Sequence, residues 1–303
     1  MILAAIDIGS NAIRLQVVRV IRDNELVSFK KLEYLRFPLR LGKDAFKYGK
    51  IEKATQVKFE KLMRTFRLLI DLYEVDAYMA VATSAMREAE NGKELVNTFA
   101  TFYNLKVDII SGRDEAEILG KAIIPYLDEH NYIHIDVGGG STELNLYKDK
   151  IRVSSQSFKI GSVRQLNTKE RKEIFKSMAD WLKEHESTIN KAITAIGTGG
   201  NINKLLKLSR QKNNKVISLT ELRALKAYVN EFDFDKRVNQ LKMNHDRADV
   251  IVPAAEIYIQ AMKLSGADQI LVPGVGLKDG TLYNLFEKTT GEHINNIEFL
   301  DLN

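Results

Sequence analysis

The sequence predicts an α/β protein built from two copies of one plan, and three observations carry that expectation. A short apolar run ending in Asp, then glycine and small polar residues, occurs at 5–18 as AIDIGSNAIRLQVV and again at 134–147 as HIDVGGGSTELNLY. Each copy continues with strand-like runs that then alternate with helical ones, the pattern of a sheet with crossover helices. At 303 residues and 34.4 kDa the chain is long enough to bury two cores. The expected domains are 1–122 and 123–303, facing one another across a cleft, with the last helix free to return to the first domain.

In chain order, Asp7, Gly9 and Leu15 of the first copy match Asp136, Gly138 and Leu144 of the second. RLQVVRV and ELNLY resume as strands after the glycine turn, and IRDNEL and YKDKI supply the next turns, so each copy reads as a β-meander. Helical periodicity follows at 52–75, with Val57, Leu62, Phe66, Leu69, Ile70 and Tyr73 on one broad face. AYMAVATSAMREAEN (77–91) reads as a buried strand running into a loop and helix. LKVDIISGRDEAEILGKAIIPYLDE (105–129) is another strand and helix, with Ser111 and Asp114 spaced like a capping box and Ala116, Leu119, Gly120, Ile123 and Leu127 turned to the core. In the second half, AITAIGTGGNINKLLKL and DQILVPGVGLKDGTLYNLF each take a buried strand through a glycine turn into a helix.

The absence of Cys removes disulfides, thiolate nucleophiles and Cys-based metal sites, and suits a reducing compartment. No apolar run reaches bilayer length and MILAAIDIGS has no basic region ahead of its apolar stretch, so a cytoplasmic protein without a membrane partner is expected. A net charge of +5 and a pI near 9.0 favour anionic partners. Within 30–50, Lys30, Lys31, Arg36, Arg40, Lys43, Lys47 and Lys50 are balanced only by Glu33 and Asp44, which is either a solvated basic face or a rail for a polyanion. Zinc-finger spacing and RNA-recognition aromatics are missing, so no nucleic-acid polymer is expected as partner.

Glycine costs chain entropy and is used where backbone turns sharply or comes very close to something else. A plain hairpin and a ligand site are the two readings, and a matched pair of such turns favours the ligand. Gly9 and the run Gly138, Gly139 and Gly140 would leave backbone N–H groups clear to form anion nests, with Ser10, Asn11, Ser141 and Thr142 as further donors. Asp7 and Asp136 would repel a phosphate unless a hard cation intervened, which points to Mg2+ held largely through water. SGRDEAEILG offers Asp114, Glu115 and Glu117 as candidate bases, against the reading that first-turn carboxylates simply complement the helix dipole.

DIGSNAIRL, ATSAMREAEN, ISGRDEAEILG, DVGGGSTEL, KIGSVR, GTGGN and RADVIVPAAEI occur in an order that closely resembles the exopolyphosphatase and guanosine pentaphosphate phosphohydrolase family, a branch of the actin, hsp70 and sugar-kinase superfamily. The resemblance runs from residue 6 to about residue 287 and implies a duplicated ribonuclease-H-like fold. It marks Glu115 as the catalytic glutamate that orients water, and Glu143 as a second carboxylate acting on metal or water. Arg87 matches the family's arginine in its loop, and Arg14 holds in the first copy the repeat position of Glu143. Both are suited to terminal phosphate oxygens. Ser162 and Arg164 match a motif that lines the cleft.

The implied activity is Mg2+-dependent release of orthophosphate from polyphosphate or guanosine pentaphosphate. A phosphotransferase or ATPase on the same fold, and a non-catalytic sensor of guanosine polyphosphates or polyphosphate, stay open. So does the oligomeric state, a homodimer included. The chain departs from the family where Gly-Gly-Leu-Arg-Glu-Gly is usual: GVGLKDG (274–280) has Val275, Lys278 and Asp279. Longer relatives carry a helical domain with a His-Asp signature for which no counterpart is expected, and His245-Asp246 is read as accidental.

Overall fold

The β-meander expected of each copy is present twice in the computed structural model, which describes residues 1–24, 26–189, 193–209, 214–293 and 297–300. The chain divides into two units, Met1–Pro125 with Gly276–Asn303, and Tyr126–Val275. The first unit opens with β1 (Ile2–Ile8), β2 (Ile13–Asp23) and β3 (Leu26–Phe37), followed by α1 (Leu41–Tyr48) and α2 (Lys53–Leu72). It continues through β4 (Ala77–Ala82), α3 (Ser84–Glu88), α4 (Gly92–Tyr103), β5 (Asp108–Ile109) and α5 (Gly112–Ile123).

The second unit repeats the plan with β6 (Asn131–Val137), β7 (Thr142–Lys148), β8 (Ile151–Phe158), α6 (Thr168–Glu184) and α7 (Glu186–Ile189). There follow β9 (Ile193–Thr198), α8 (Gly200–Leu208), β10 (Val216–Ser218) and α9 (Leu219–Asn230). The unit closes with α10 (Phe234–Asn239), α11 (His245–Ala248), α12 (Ile251–Ser265) and β11 (Gln269–Leu271). α13 (Leu277–Thr290) and β12 (Glu298–Leu300) then belong to the first unit.

Among the described residues each sheet has six strands, ordered β12-β3-β2-β1-β4-β5 and β10-β11-β9-β6-β7-β8. Read from the meander outward the two agree: three antiparallel strands, then two more parallel to the first. β1 is apolar along nearly its whole length because both of its faces are covered. Ala4, Ile6 and Ile8 join one cluster with Phe59, Met63, Phe66 and Phe99 from α2 and α4. Leu3 and Ala5, alternating with them, join Phe29 and the α13 residues Leu282, Tyr283 and Phe286 on the opposite face.

The buried stripe of α2 is Phe59, Met63, Phe66 and Ile70, with Leu62, Leu69 and Tyr73 flanking it and Val57 exposed. The expected face is therefore right from Leu62 onward and rotated at its start. Phe59, one turn before Met63, fills the space by packing edge-on against Phe99 at 4.8 Å between ring centroids. Among the described residues no helix is long and apolar enough to cross a membrane.

α5 begins with the capping box its sequence suggests: Asp114 N donates to Ser111 Oγ at 3.2 Å and Ser111 N donates to Asp114 Oδ2 at 3.2 Å. Its flank meets α13, where Lys121 Nζ donates to Asn284 Oδ1 at 2.9 Å and pairs with Glu287. The two helices touch backbone to backbone at Gly280, where an added Cβ would lie 2.0 Å from the Ile118 carbonyl oxygen. Gly280→Ala is therefore expected to push α13 off α5 and to destabilise the protein by about 1–3 kcal/mol, the usual cost of overpacking. Urea denaturation measures the loss, and an unchanged midpoint would show that the helices do not depend on that contact.

Candidate functional site

In the second unit, strand pairing places Thr198 of β9, Asp136 of β6, Glu143 of β7 and Ser157 of β8 in one row across four strands. Residues directly opposite in register share a face of the sheet. Thr198 Oγ1 donates to Asp136 Oδ1 at 2.7 Å, Ser157 Oγ to Glu143 Oε1 at 2.9 Å, and Ser141 Oγ to the same Oε1 at 2.7 Å. Carboxylate oxygens of Asp136 and Glu143 come within 4.8 Å of each other, and Glu143 is 2% exposed. Two like charges at that spacing, one deeply buried, destabilise a sheet unless a cation offsets them. An all-oxygen set of two carboxylates suits a hard divalent ion.

The row behind this one is polar as well. His134, Asn145 and Ser155 stand opposite one another, two residues along from Asp136, Glu143 and Ser157. Burial alone pushes the His134 imidazole down to about 3, so it is neutral at physiological pH. From α12, Tyr258 donates its hydroxyl to the Thr198 carbonyl, and Val137 N donates to Tyr258 Oη at 3.4 Å.

The glycine run connects β6 to β7 by a tight turn closed by Gly138 N donating to Ser141 O at 3.0 Å. Its carbonyls are held by the segment after β8. Gly138 O accepts from Ser162 N at 3.0 Å, Gly139 O from Val163 N at 2.8 Å and Arg164 N at 3.1 Å, and Gly140 O from Arg164 Nε at 2.7 Å. In a trans peptide the C=O and the following N–H point in opposite directions. The amides of Gly139, Gly140 and Ser141 therefore point away from the 162–164 segment, the arrangement of an anion nest. Ser162 Oγ also donates to Gly138 O at 3.2 Å, and Thr142 Oγ1 donates to Ile160 O at 2.7 Å. Those groups of Ser162, Arg164 and Thr142 thus shape the turn itself.

The first unit has the same backbone with different charges. Asp7 stands opposite Arg14, and Arg14 opposite Arg36. Arg14 Nη1 donates to Asp7 Oδ2 at 2.5 Å. Burial works against the guanidinium, but Asp7 and Tyr34 outweigh it and raise its pKa. Gly9 N donates to Ala12 O at 3.2 Å, while the Ser10 and Asn11 carbonyls accept from Gly42 N at 2.8 Å and Arg40 N at 3.1 Å. Ser10 Oγ lies 2.8 Å from Ser84 Oγ of α3. On the same helix, Arg87 donates Nη1 to Ile110 O at 2.7 Å and lies 3.8 Å from Glu115 Oε2 on α5. Glu115 is buried. The basic stretch is divided between β3 and α1, where Lys43 and Lys47 are one turn apart.

Sequence reasoning missed Thr198, Ser157, His134, Asn145 and Tyr258. Part of the signal was available: His134 and Asp136, and Glu143 and Asn145, are each two apart in otherwise apolar strands and so share a face. Which strands those faces meet depends on long-range pairing, and that is not local information.

The model of the Ppx/GppA phosphatase family matches residues 19–289. The bifunctional 3-dehydroquinate synthase/phosphatase of Fusobacterium nucleatum is 29% identical over 295 residues, covering 89% of this chain and 44% of that protein. The guanosine-5'-triphosphate,3'-diphosphate pyrophosphatase of Photobacterium profundum is 23% identical over 299 residues, covering 94% of this chain and 59% of that one. The chain thus spans only about half the length of these two relatives. The crystal structure of an exopolyphosphatase from Cytophaga hutchinsonii superposes with a TM-score of 0.80 at 23% identity, over 95% of this chain and 98% of that one. The likeness is one of fold, the duplicated actin-like fold that the family resemblance implied.

The backing segment makes one position unusually intolerant. A Cβ at Gly161 would lie 2.4 Å from the Gly139 carbonyl oxygen and 2.6 Å from Gly140 N. Gly161→Ala should cost about 1–3 kcal/mol in urea denaturation and accelerate amide exchange at Ser162 and Val163, whose N–H groups hold the turn. Unchanged exchange there would mean that the glycine run keeps its shape without support.

Proposed function

Because the chain belongs to the Ppx/GppA phosphatase family, we propose that it cleaves the terminal phosphoanhydride bond of linear polyphosphate and releases orthophosphate, with guanosine pentaphosphate as a second substrate. The observation that carries this reading is the glycine run 138–140, its carbonyls drawn to one side and its amides to the other, beside the opposed carboxylates of Asp136 and Glu143. The names of similar proteins, an exopolyphosphatase and a guanosine pentaphosphate pyrophosphatase, support the same substrate class.

In this reading the amides of Gly139, Gly140 and Ser141 receive the phosphate oxygens, and the turn at Gly9, Ser10 and Asn11 is a second anion-binding element. A Mg2+ ion on Asp136 and Glu143, held in part through water, would neutralise phosphate charge. Asp7 is assigned to its ion pair with Arg14, whose guanidinium is thereby kept charged and oriented for phosphate oxygens. Glu115 orients the attacking water and accepts its proton as oxygen bonds to the terminal phosphorus. The anhydride P–O bond breaks, and the shortened chain leaves with the electron pair. Arg87, 3.8 Å from Glu115, fixes that carboxylate and adds positive charge.

Phosphate release from long polyphosphate, tripolyphosphate, guanosine pentaphosphate and ATP, measured side by side with Mg2+, tests the reading. Glu115→Gln should lower kcat by roughly 10²–10⁴-fold, the usual contribution of a general base, with KM little changed. Release undiminished in that variant would remove Glu115 from the chemistry. Chelation with EDTA should abolish turnover and added Mg2+ restore it. Preference for transfer from ATP to an acceptor over polyphosphate cleavage would instead select a phosphotransferase.

A further inference from the structure

Behind the carboxylate row lies a chain of four hydrogen bonds in which each group's choices are limited by the next. Ser155 Oγ donates to Asn145 Oδ1 at 2.7 Å. Asn145 Nδ2 lies 3.0 Å from His134 Nδ1, and His134 Nε2 lies 2.8 Å from Thr198 Oγ1. Thr198 Oγ1 is in turn 2.7 Å from Asp136 Oδ1. An amide nitrogen only donates, so His134 Nδ1 must be the acceptor. A ring that accepts at Nδ1 carries its proton on Nε2 and donates it to Thr198 Oγ1. With a lone pair so occupied, the threonine hydroxyl proton is directed to Asp136. The opposite tautomer would draw that proton toward the ring and remove it from the carboxylate. All of these atoms belong to the second unit, and His134, Asn145 and Thr198 are at most 1% exposed.

We propose that His134 is a positioning residue: acting through Thr198, and held in its Nε2–H tautomer by Asn145, it fixes the orientation of the Asp136 carboxylate for a divalent cation. The inference rests on the assignment of Asp136 as a cation ligand. A partner beyond the ligand that restrains its rotation typically matters by 10–100-fold in metal affinity. Gly199 completes the arrangement. Its φ of +111° lets the chain leave Thr198 with no side chain, where a Cβ would lie 3.2 Å from Tyr258 Oη and 3.6 Å from Asp136 Oδ1. In the first unit the position two before Asp7 is Ala5, and Asp7 is oriented by Arg14 instead.

The test is Mn2+ binding to the full chain without substrate, by electron paramagnetic resonance, alongside phosphate release at saturating Mg2+. His134→Leu and Thr198→Val should each weaken Mn2+ about tenfold or more, while polyphosphate KM at saturating metal stays within about twofold. The double variant should be no weaker than the poorer single one, since both break one path. His134→Gln, which keeps a donor toward Thr198, and Thr198→Ser, which keeps the hydroxyl, should retain most of the affinity. Nitrogen-15 NMR of the wild type should show the Nε2–H form. Thr198→Val is nearly isosteric, so it decides the matter if His134→Leu does not fold. Wild-type affinity in the Val and Leu variants, equal loss in the conservative ones, or an Nδ1–H ring would each overturn the inference. No Mn2+ binding by the wild type would overturn the cation assignment itself.

Discussion

Asp136 stands directly opposite Glu143 across β6 and β7, and a sheet tolerates two like charges at that spacing only when something offsets them. Much of the second unit's polar architecture follows from that constraint. Three hydroxyls, from Thr198, Ser141 and Ser157, each donate to one of the two carboxylates. Hydrogen bonds to the ionised form lower the cost of keeping it charged, but they do not cancel the repulsion between the pair. The cation proposed on Asp136 and Glu143 would offset that repulsion.

The first unit resolves the same backbone differently. Arg14 takes the place of Glu143, so the charge facing Asp7 is already opposite in sign, and Arg36 extends the row with a second cation. The first hairpin therefore sets a cation opposite its aspartate, and the second sets a carboxylate there. In both units the turn is held from behind by a segment after the third strand that donates its amides to the turn's carbonyls. That segment enters through the same short contact, Leu39 N to Phe37 O at 3.0 Å and Ile160 N to Phe158 O at 2.8 Å. The duplication thus extends beyond the visible repeat, and it preserves the device that sets which way the amides point while letting the side-chain charges diverge.

Much of this was legible in the residues. The meanders, the capping box of α5 and the equivalence of Arg14 with Glu143 are encoded locally, by alternation, by capping chemistry and by alignment of the two copies. The start of the α2 face was misjudged because Val57 and Phe59 both fit an apolar stripe, and only the position of Phe99 decides between them. Thr198 was hidden in a glycine-rich turn that is common for steric reasons, and His134 carried no signal of its own at the head of the glycine motif. Its role depends on β9 lying beside β6 with Thr198 opposite Asp136, a pairing 62 residues apart in sequence. Local pattern fixes which face a residue takes, whereas long-range register fixes its neighbours.

The departure at 274–280 can be read in the same physical terms. Asp279 is one methylene shorter than the Glu usual there, and it sits at the start of α13, where its carboxylate accepts from Gly276 N at 2.8 Å. It is 3% exposed and would be a costly buried charge alone, but Lys278 Nζ lies 2.5 Å from Oδ1 and the Gln16 amide donates to the same oxygen at 3.4 Å. Lys278 also lies over the Tyr34 ring, 5.7 Å from its centroid. Lys278 and Asp279 thus act together in this chain, the flexible ammonium folding back onto the carboxylate one residue away. What they preserve is the N-terminus of the helix whose Gly280 lets α5, the carrier of Glu115, pack so closely.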